Sequence, residues 1–274
     1  MKNIRLEKSF LNFITPMQWH KKKYQQIPKI NIYHDDNYLG EILHLPNLNH
    51  GDFEEIFEKL CQKFKTFPST YDQLRLDIGE NFPRHIYYFL NFLYADLPNS
   101  PFPYEKCHQL VLIENLLADK INSKAIKLKL GRLNDFEEEI EIIESYLAKK
   151  PEIKLRIDSN EVYDEKQYIA LEKHFKANID YIECSKNELD YNLASNKAYD
   201  IQNISEDLNK ADIIVLKPSL IGDFKTIEEF LRKNTKPVIF SSTFETKNYQ
   251  HYILKNFASI KQTHGLMSFA YRQA

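Results

Sequence analysis

Apolar and polar residues alternate along the first part of the chain as they do in β-strands. Alternation over residues 3–15 predicts one strand, and apolar runs at 30–33 and 39–45 predict two more. The polar stretch 15–28 predicts a flexible connection between the first two strands. Two segments with apolar residues at helical spacing follow, at 52–64 and 83–95. We therefore expect an α+β domain over residues 1–100.

From about residue 109, short apolar runs alternate with helical segments. The predicted strands are 110–113, 126–130, 153–157, 181–182, a short strand near Leu193, 213–216 and 238–240. The predicted helices are 135–147, 164–176 and 223–232. Such alternation implies a parallel sheet with helical crossovers, and the number of units favours closure. The predicted fold class is therefore α/β: a modified (β/α) barrel of the TIM type over residues 101–274, covered by an α+β capping domain.

Charged residues stand where several of these predicted strands end. Lys127 and Lys129 point to the same face of their strand, because successive side chains alternate in direction. Asp158, Glu183 and Lys217 each terminate a short apolar run. In a (β/α) barrel the carboxyl ends of the strands share one pocket. We therefore expect these five ionisable groups to converge at one end of the barrel.

Composition narrows the range of functions. The formal net charge of −2 provides no basic field for nucleic acid, and the short basic cluster at 20–23 is expected to be a solvated loop. No apolar run is long enough for a membrane helix, and the first residues lack the apolar stretch of a signal peptide. Three cysteines without CxxC spacing argue against disulfides and zinc, and fit a cytoplasmic protein. Nothing in the sequence indicates the oligomeric state.

The converging groups suit the removal of a proton from a carbon next to a carboxylate. The enediolate that forms carries negative charge on adjacent oxygens, which a divalent cation held by carboxylates stabilises. A lysine whose pKa is depressed by neighbouring ammonium groups is able to take the proton. Asp158 and Glu183 are candidate Mg²⁺ ligands, because Mg²⁺ prefers oxygen donors. Lys129 and Lys217 would flank a small-molecule carboxylate substrate from opposite sides.

Five segments together resemble the enolase superfamily and, within it, the o-succinylbenzoate synthase family: 127–131, 155–160, 182–184, 216–222 and 240–246. The more specific marks are Lys217-Pro218-Ser219-Leu220 and the paired serines before Phe244-Glu245. Residues 40–42 resemble part of the family's capping domain. The resemblance implies a modified (β/α) barrel, a Mg²⁺ cofactor, and syn elimination of water from a cyclohexadiene carboxylate in menaquinone biosynthesis.

The resemblance also implies roles for single residues. Lys129 would be the general acid/base, and Lys217 the cation that faces the enediolate. Asp158 and Glu183 would bind the metal ion. Lys127 and Asn160 would be supporting groups beside them.

The third metal ligand departs from the family's pattern. The resemblance implies an aspartate on the strand after the glutamate, whereas the matching stretch 193–197 offers Asn196. An amide oxygen can bind Mg²⁺ but contributes no charge. Asp190 and Asp200 stay open as replacements. A noncatalytic barrel with a binding or structural role, and a racemase or epimerase of the same superfamily, are the alternative functions.

Several other positions have both a functional and a structural interpretation. Three hydroxyl residues follow the strand at 238–240 and either bind the substrate carboxylate or cap the next helix: Ser241, Ser242 and Thr243. His264, which would lie at the last barrel strand, either binds substrate or is structural. Trp19 and His20 either close over the pocket as a lid or lie in a surface loop.

Overall fold

The computed structural model of the chain describes residues 4–19, 22–64, 68–79, 81–118, 120–259 and 262–273. The strands in these ranges are β1 (Ile4–Trp19), β2 (Lys22–His34), β3 (Asn37–Leu43), β4 (Gln109–Leu112), β5 (Ala125–Lys129), β6 (Lys154–Asp158), β7 (Ile179–Cys184), β8 (Lys197–Ile201), β9 (Ile213–Leu216) and β10 (Val238–Phe240). The α-helices are α1 (Phe53–Lys63), α2 (Tyr71–Ile78), α3 (Arg84–Asn91), α4 (Phe136–Leu147), α5 (Glu165–Phe175), α6 (Pro218–Ile221), α7 (Phe224–Lys233) and α8 (Lys247–Asn256).

Strands β1 and β2 form a long antiparallel hairpin, and β3 pairs with β2. Phe13, Met17 and Trp19 lie on the buried face of β1, and Ile27 is buried on β2. The expected flexible connection over residues 15–28 is therefore wrong, because strand alternation continues through its described part. Residues 20 and 21 of the predicted basic loop lie outside the described residues, and Lys22 and Lys23 are exposed on β2.

Three helices follow this sheet. Helix α1 begins after Asp52, whose side chain accepts a hydrogen bond from the Glu55 N–H at 3.0 Å. Helix α2 is not predicted, because its eight residues bury only Leu74 and Ile78 and give little helical periodicity. Helix α3 is buried along most of its length and contacts both β3 and α6. It therefore lies between the capping sheet and the barrel.

The second sheet is parallel and has the strand order β4 to β10. A short segment joins its two edges. His264 bridges Cys107 just before β4, and Gly265 bridges Ser241 just after β10, both in parallel. Backbone hydrogen bonds on each side reinforce these bridges, from the His108 N–H to His264 O at 3.0 Å and from the Gly265 N–H to Phe240 O at 2.7 Å. The segment takes the eighth strand position and closes the barrel.

Strand β8 lies four residues later than the sequence indicates. Leu193 was expected to mark a short strand, but it is in a loop, and the strand begins at Lys197. The buried residues of β8 are Ala198, Tyr199 and Ile201. The prediction is centred on Leu193 because leucine is strongly apolar. In the structure, the side chains buried in the barrel core are those of the residues that follow it in β8.

Helices cover the outside of the barrel. Asp135, Asp164 and Asp223 are the N-caps of α4, α5 and α7, and each accepts a backbone hydrogen bond from the first turn. The sequence predicts all three starts, and the structure confirms them. A helix after residues 241–243 is expected but its bounds are not predicted, because Gln250 and His251 lie on the buried side of α8 and obscure the apolar spacing. None of the described helices combines the length and the apolar composition needed to cross a bilayer.

The C-terminal segment packs against the capping sheet. Arg272 forms an antiparallel bridge with Phe13, and the Gln273 N–H donates to Asn12 O at 2.9 Å. The Arg272 guanidinium also donates to both carboxylate oxygens of Glu41 on β3, at 2.5 and 2.9 Å. The division into domains 1–100 and 101–274 stays a prediction, and residues 272–273 contact the first of them.

Candidate active site

Consecutive parallel strands each present one ionisable side chain at the same end of the barrel. The five are Lys129 on β5, Asp158 on β6, Glu183 on β7, Asp200 on β8 and Lys217 directly after β9. The strand register pairs Lys129 with Asp158. Four of the five line one cavity of about 130 Å³, and Asp158 contacts Lys129 at its wall. The structure thus brings together the charges that the sequence places at strand ends, and adds Asp200.

The lysines of the site are paired with its carboxylates. The Lys127 Nζ donates to both oxygens of Glu183, at 2.8 and 2.6 Å, and lies 2.7 Å from Asp158 Oδ2. The Lys129 Nζ donates to Asp158 and, at 2.8 Å, to Asn160 Oδ1. On the other side, Lys217 donates to Asp200. Lys127 therefore lies between two carboxylates, and Lys129 and Lys217 lie at the two ends of the series.

Burial and neighbouring charge shift the two β5 lysines in opposite directions. Burial lowers the pKa of Lys127, but the charges of Asp158 and Glu183 outweigh it and hold that pKa well above its usual range. The pKa of Lys129 is lowered, because burial and the Lys127 charge outweigh its attraction to Asp158. Lys127 is thus a permanent cation, and Lys129 is the lysine of the pair that more readily loses its proton.

The two central carboxylates also differ. Burial raises the pKa of Asp158, but Lys127 and Lys129 outweigh it and hold that pKa well below its usual range. Burial raises the pKa of Glu183 to about 7, although the Lys127 ammonium opposes the rise. Asp158 is therefore ionised at neutral pH, and the pKa of Glu183 lies above that of an ordinary glutamate.

A buried glutamate fixes the loop that follows Lys129. The Glu139 carboxylate accepts backbone hydrogen bonds from Gly131, Arg132 and Leu133, at 3.0, 2.9 and 2.9 Å. It also accepts the Tyr163 hydroxyl hydrogen bond. Since Glu139 is 1% exposed, these bonds are shielded from water. The end of β5 is therefore held by a carboxylate that is not itself in the cavity.

Asp200, and not Asn196, lies in the position of a third carboxylate. Asn196 precedes β8 at the other end of the strand, is exposed, and donates from Nδ2 to Asp180 O at 3.3 Å. Asp190 lies on the surface and is paired with Lys210. Asp200 lines the cavity between Glu183 and Lys217. The structure thus does not bring Asn196 to the site, because the strand begins after it.

The donor set fits a hard divalent cation in type and number. Asp158, Glu183 and Asp200 are three oxygen donors on adjacent strands, which Mg²⁺ prefers. One oxygen of Asp200, Oδ1, is buried and has no hydrogen-bond partner in the described part of the chain. Among the described residues, no three acidic, histidine or cysteine side chains are grouped closely enough to coordinate one ion. The three carboxylates are separated from one another because each of them is turned towards a lysine ammonium group.

Apolar side chains from the capping domain form the opposite wall of the cavity. Met17 and Trp19 come from β1, and Leu45 and Leu48 follow β3. The Trp19 ring is stacked on Tyr24 with 4.0 Å between centroids, and its Nε1 donates to Pro46 O at 2.8 Å. Trp19 thus covers the cavity as part of a strand, whereas His20, the other half of the predicted lid, lies outside the described residues.

The predicted hydroxyl groups are at the cavity but are used differently. The Ser242 hydroxyl is engaged within the protein: its oxygen lies 3.0 Å from Gly265 O, which can only accept, and 2.7 Å from the Ser268 hydroxyl. The Thr243 hydroxyl donates to Glu245 Oε1 at 2.8 Å. Ser241 lines the cavity, and no side-chain hydrogen bond holds its hydroxyl within the described residues. Of the three, Ser241 is therefore the one whose hydroxyl is free to meet a ligand.

His264 has a structural role. Its Nδ1 accepts the Phe240 N–H at 3.1 Å, and its Nε2 lies 3.0 Å from Ser259 O. Burial lowers the pKa of His264 to about 4, so the ring is neutral at physiological pH. The ring joins β10 to the segment that closes the barrel.

No protein-family model matches the chain, and no curated protein matches it. The structure is similar to o-succinylbenzoate synthase from Thermosynechococcus elongatus BP-1 complexed with Mg in the active site, with a TM-score of 0.73, 17% identity, and coverage of 99% of this chain and 94% of that one. It is also similar to the substrate-liganded L-Ala-D/L-Glu epimerase from Bacillus subtilis, with a TM-score of 0.71, 15% identity, and coverage of 100% and 92%.

A third similar structure is muconate lactonizing enzyme from Pseudomonas fluorescens complexed with muconolactone, with a TM-score of 0.69, 13% identity, and coverage of 99% of this chain and 88% of that one. The chain has the enolase-superfamily fold. The predicted fold class, a modified (β/α) barrel with an α+β capping domain, is thus confirmed.

Asp200, one of the two aspartates that the sequence offers as a replacement third ligand, is the one that lines the cavity. The residues that sequence reasoning missed are Met17, Leu45 and Leu48. They carry no signal in the sequence, because their place at the cavity depends on how the capping domain packs on the barrel.

Proposed function

We propose that this protein is an enzyme of the enolase superfamily that removes a proton next to the carboxylate of a small molecule. The observation that carries the proposal is the order of the side chains around the barrel. Lys129 and Lys217 lie at the ends of a series that has Asp158, Glu183 and Asp200 between them. A substrate held near the three carboxylates would then have an amine on each side.

The three carboxylates would hold Mg²⁺, which supplies positive charge to stabilise the enediolate when bound. The similar synthase is complexed with Mg in its active site, which supports the assignment. The side chains of this chain would then act on the substrate directly. Lys127 remains a cation that holds Glu183 and Asp158 in place, and Asn160 orients the Lys129 amine.

The preferred reaction is dehydration of the o-succinylbenzoate synthase type. Lys129 as a neutral amine takes the proton next to the carboxylate and becomes an ammonium ion. The same ammonium then gives the proton to the departing hydroxyl group, which leaves as water while the ring double bond forms. Lys217 supports the intermediate with its positive charge from the other side. A place in menaquinone biosynthesis and a cytoplasmic location remain predictions of the same hypothesis.

Epimerisation or racemisation is the second candidate, and the opposed lysines favour it too. A proton removed by Lys129 on one face could be returned by Lys217 on the other, which inverts the carbon. The L-Ala-D/L-Glu epimerase is among the similar structures. The noncatalytic alternative was based on Asn196 as the third ligand, and that argument no longer holds with Asp200 in the site.

Proton exchange in D₂O tests what the two enzymatic candidates share. The Mg²⁺-loaded protein is incubated with the cyclohexadiene carboxylate and with L-Ala-L-Glu, and NMR follows both deuterium at the carbon next to the carboxylate and the product. Lys129→Ala should abolish dehydration, and Lys217→Ala should slow it strongly. Lys225→Ala, at an exposed lysine on α7, is the control and should retain full activity.

The products separate the two reactions. Formation of o-succinylbenzoate supports the dehydratase, and inverted dipeptide supports the epimerase. Equal rates in the Lys129→Ala protein and the unaltered protein, or no exchange and no product with either substrate, would defeat the proposal.

A further inference from the structure

His108 lies in the cavity wall away from the charged series. It directly precedes β4, is 3% exposed, and lines the cavity together with Leu110 and Gly265. Neither the general acid/base scheme nor the three-carboxylate site uses it. A buried imidazole at a ligand cavity therefore needs a role.

Arg156 determines which nitrogen of His108 carries the proton. The Arg156 Nη1 lies 2.6 Å from His108 Nδ1 and donates to it, because a guanidinium has donors and no acceptor. The same guanidinium is fixed by Asp180 Oδ2, at 2.9 Å from Nε, and by Thr263 O, at 2.8 Å from Nη1. His108 Nδ1 is thus an acceptor, and the proton of the neutral ring is on Nε2.

The ring stays neutral at physiological pH. Burial and the Arg156 charge lower the pKa of His108 well below its usual range. A second proton would have to sit on Nδ1, where it would face the guanidinium. His108 is therefore a fixed hydrogen-bond donor through Nε2 and is neither an acid nor a base near neutral pH.

The Nε2 side of the ring lies close to Gly265 in the cavity wall. A Cβ atom placed on Gly265 would lie 2.9 Å from His108 Nε2 and 3.4 Å from Ser241 Oγ. Within the described residues, no hydrogen bond engages Nε2. A side chain at residue 265 would therefore collide with the imidazole, and glycine allows the ring and the Ser241 hydroxyl to lie side by side on the wall of the cavity.

We infer that His108 is a substrate-binding residue whose Nε2–H, fixed by Arg156, donates to an oxygen of the substrate remote from the reacting carbon. This inference rests on the proposed function, and it narrows the substrate class to carboxylates with a second carboxylate or carbonyl group. The charged series binds one end of such a molecule. The donors beside Gly265 bind the other end.

Calorimetric titration of the Mg²⁺-loaded protein tests the inference with three probes: o-succinylbenzoate, L-Ala-L-Glu and benzoate. The first two carry a second oxygen group, and benzoate does not. His108→Phe should weaken binding of at least one of the first two by about tenfold or more, since a hydrogen bond to a charged acceptor is lost. Binding of benzoate and of Mg²⁺ should stay within about twofold.

Two further measurements distinguish a binding role from a structural one. His108→Gln keeps a donor and should recover much of the lost affinity, and His174→Phe, at an exposed histidine on α5, is the matched control. In the unaltered protein, side-chain ¹H–¹⁵N NMR should show the proton of His108 on Nε2 and a shift of that proton when a probe binds. This measurement requires no substitution and therefore does not depend on how the variants fold.

The outcomes separate the inference from the proposed function. Lys129-dependent turnover with equal probe affinity in the His108→Phe protein would overturn the inference and leave the function standing. Probe binding that depends on His108, without any proton exchange, would defeat the proposed function and leave the inference standing. A proton found on Nδ1, no Nε2 shift, or no binding of any probe by the unaltered protein would also overturn it.

Discussion

Gly40 on β3 lies where the capping sheet meets α8 of the barrel. A methyl group at this position would overlap the hydroxyl oxygen of Tyr249 and lie 3.3 Å from Leu93 Cδ2. The Tyr249 ring has little freedom to move, because it is buried and stacked on Phe92 with 3.9 Å between ring centroids. We therefore expect Gly40→Ala to destabilise the protein.

The expected loss of stability in Gly40→Ala follows from how tightly the Tyr249 ring is held. Overpacking of a tight core costs about 1–3 kcal/mol, and the held ring puts Gly40→Ala at about 3 kcal/mol. In a Tyr249→Phe background the overlapping atom is gone, and the nearest ring atom, Cζ, is 3.6 Å away. There, Gly40→Ala should be neutral or stabilise by about 0.5–1 kcal/mol, because alanine restricts the unfolded chain more than glycine does.

Urea unfolding of the four proteins in this double-mutant cycle measures the coupling, with the fluorescence of the single tryptophan as the signal. Tyr249→Phe alone should change stability little, because its hydroxyl is buried without a hydrogen-bond partner in the described residues. A coupling energy of about 3–4 kcal/mol is expected. An equal loss for Gly40→Ala in both backgrounds would refute the steric explanation.

Three other predictions concern the site and its supports. Asp200→Asn should weaken calorimetric Mg²⁺ binding about tenfold or more while Asn196→Asp leaves it unchanged, and tighter binding in Asn196→Asp would contradict the ligand assignment. His264 has a folded pKa of about 4 against an ordinary value of 6.5, so its unfolded form takes up a proton first as the pH falls. The unaltered protein should therefore be more stable than the His264→Gln protein above pH 6.5, and this difference should shrink by about 3 kcal/mol towards pH 4. Urea titrations at several pH values measure it. A difference that does not change with pH would argue against a buried neutral ring. Glu139→Ala leaves three backbone N–H groups without their acceptor and should cost about 2–4 kcal/mol by thermal unfolding, whereas a cost under about 1 kcal/mol would show that water replaces the carboxylate.

The charges at the strand ends could be predicted because the prediction needs only local information. Lys129, Asp158 and Glu183 each follow apolar residues, and parallel strands bring such ends to one edge of a barrel. The three aspartate N-caps are equally local, since a short polar side chain before an apolar helical pattern marks the start of a helix. These features therefore required no knowledge of how distant parts of the chain pack.

The wrong or missing predictions concern features that depend on tertiary packing or on the residue at which a strand begins. The predicted start of β8 is four residues too early, which makes Asn196 and not Asp200 the expected ligand, because Leu193 outside the strand is more apolar than Ala198 and Tyr199 inside it. Met17 on β1 was missed because the polar residues around it suggested a loop. His108 was not predicted, since its role depends on Arg156, which is distant in sequence.

Closure of the barrel through residues 264–265 also has a consequence for folding kinetics. The segment brings Leu266 to within 4.0 Å of Cys107 Sγ, although the two residues are 159 positions apart in sequence. Contacts between such distant positions are slow to form, because a long loop must close first. His108 and Gly265 lie on opposite sides of the junction between β4 and residues 264–265. A ligand that contacts both residues must dissociate before this junction can open, so the bound ligand should slow global unfolding.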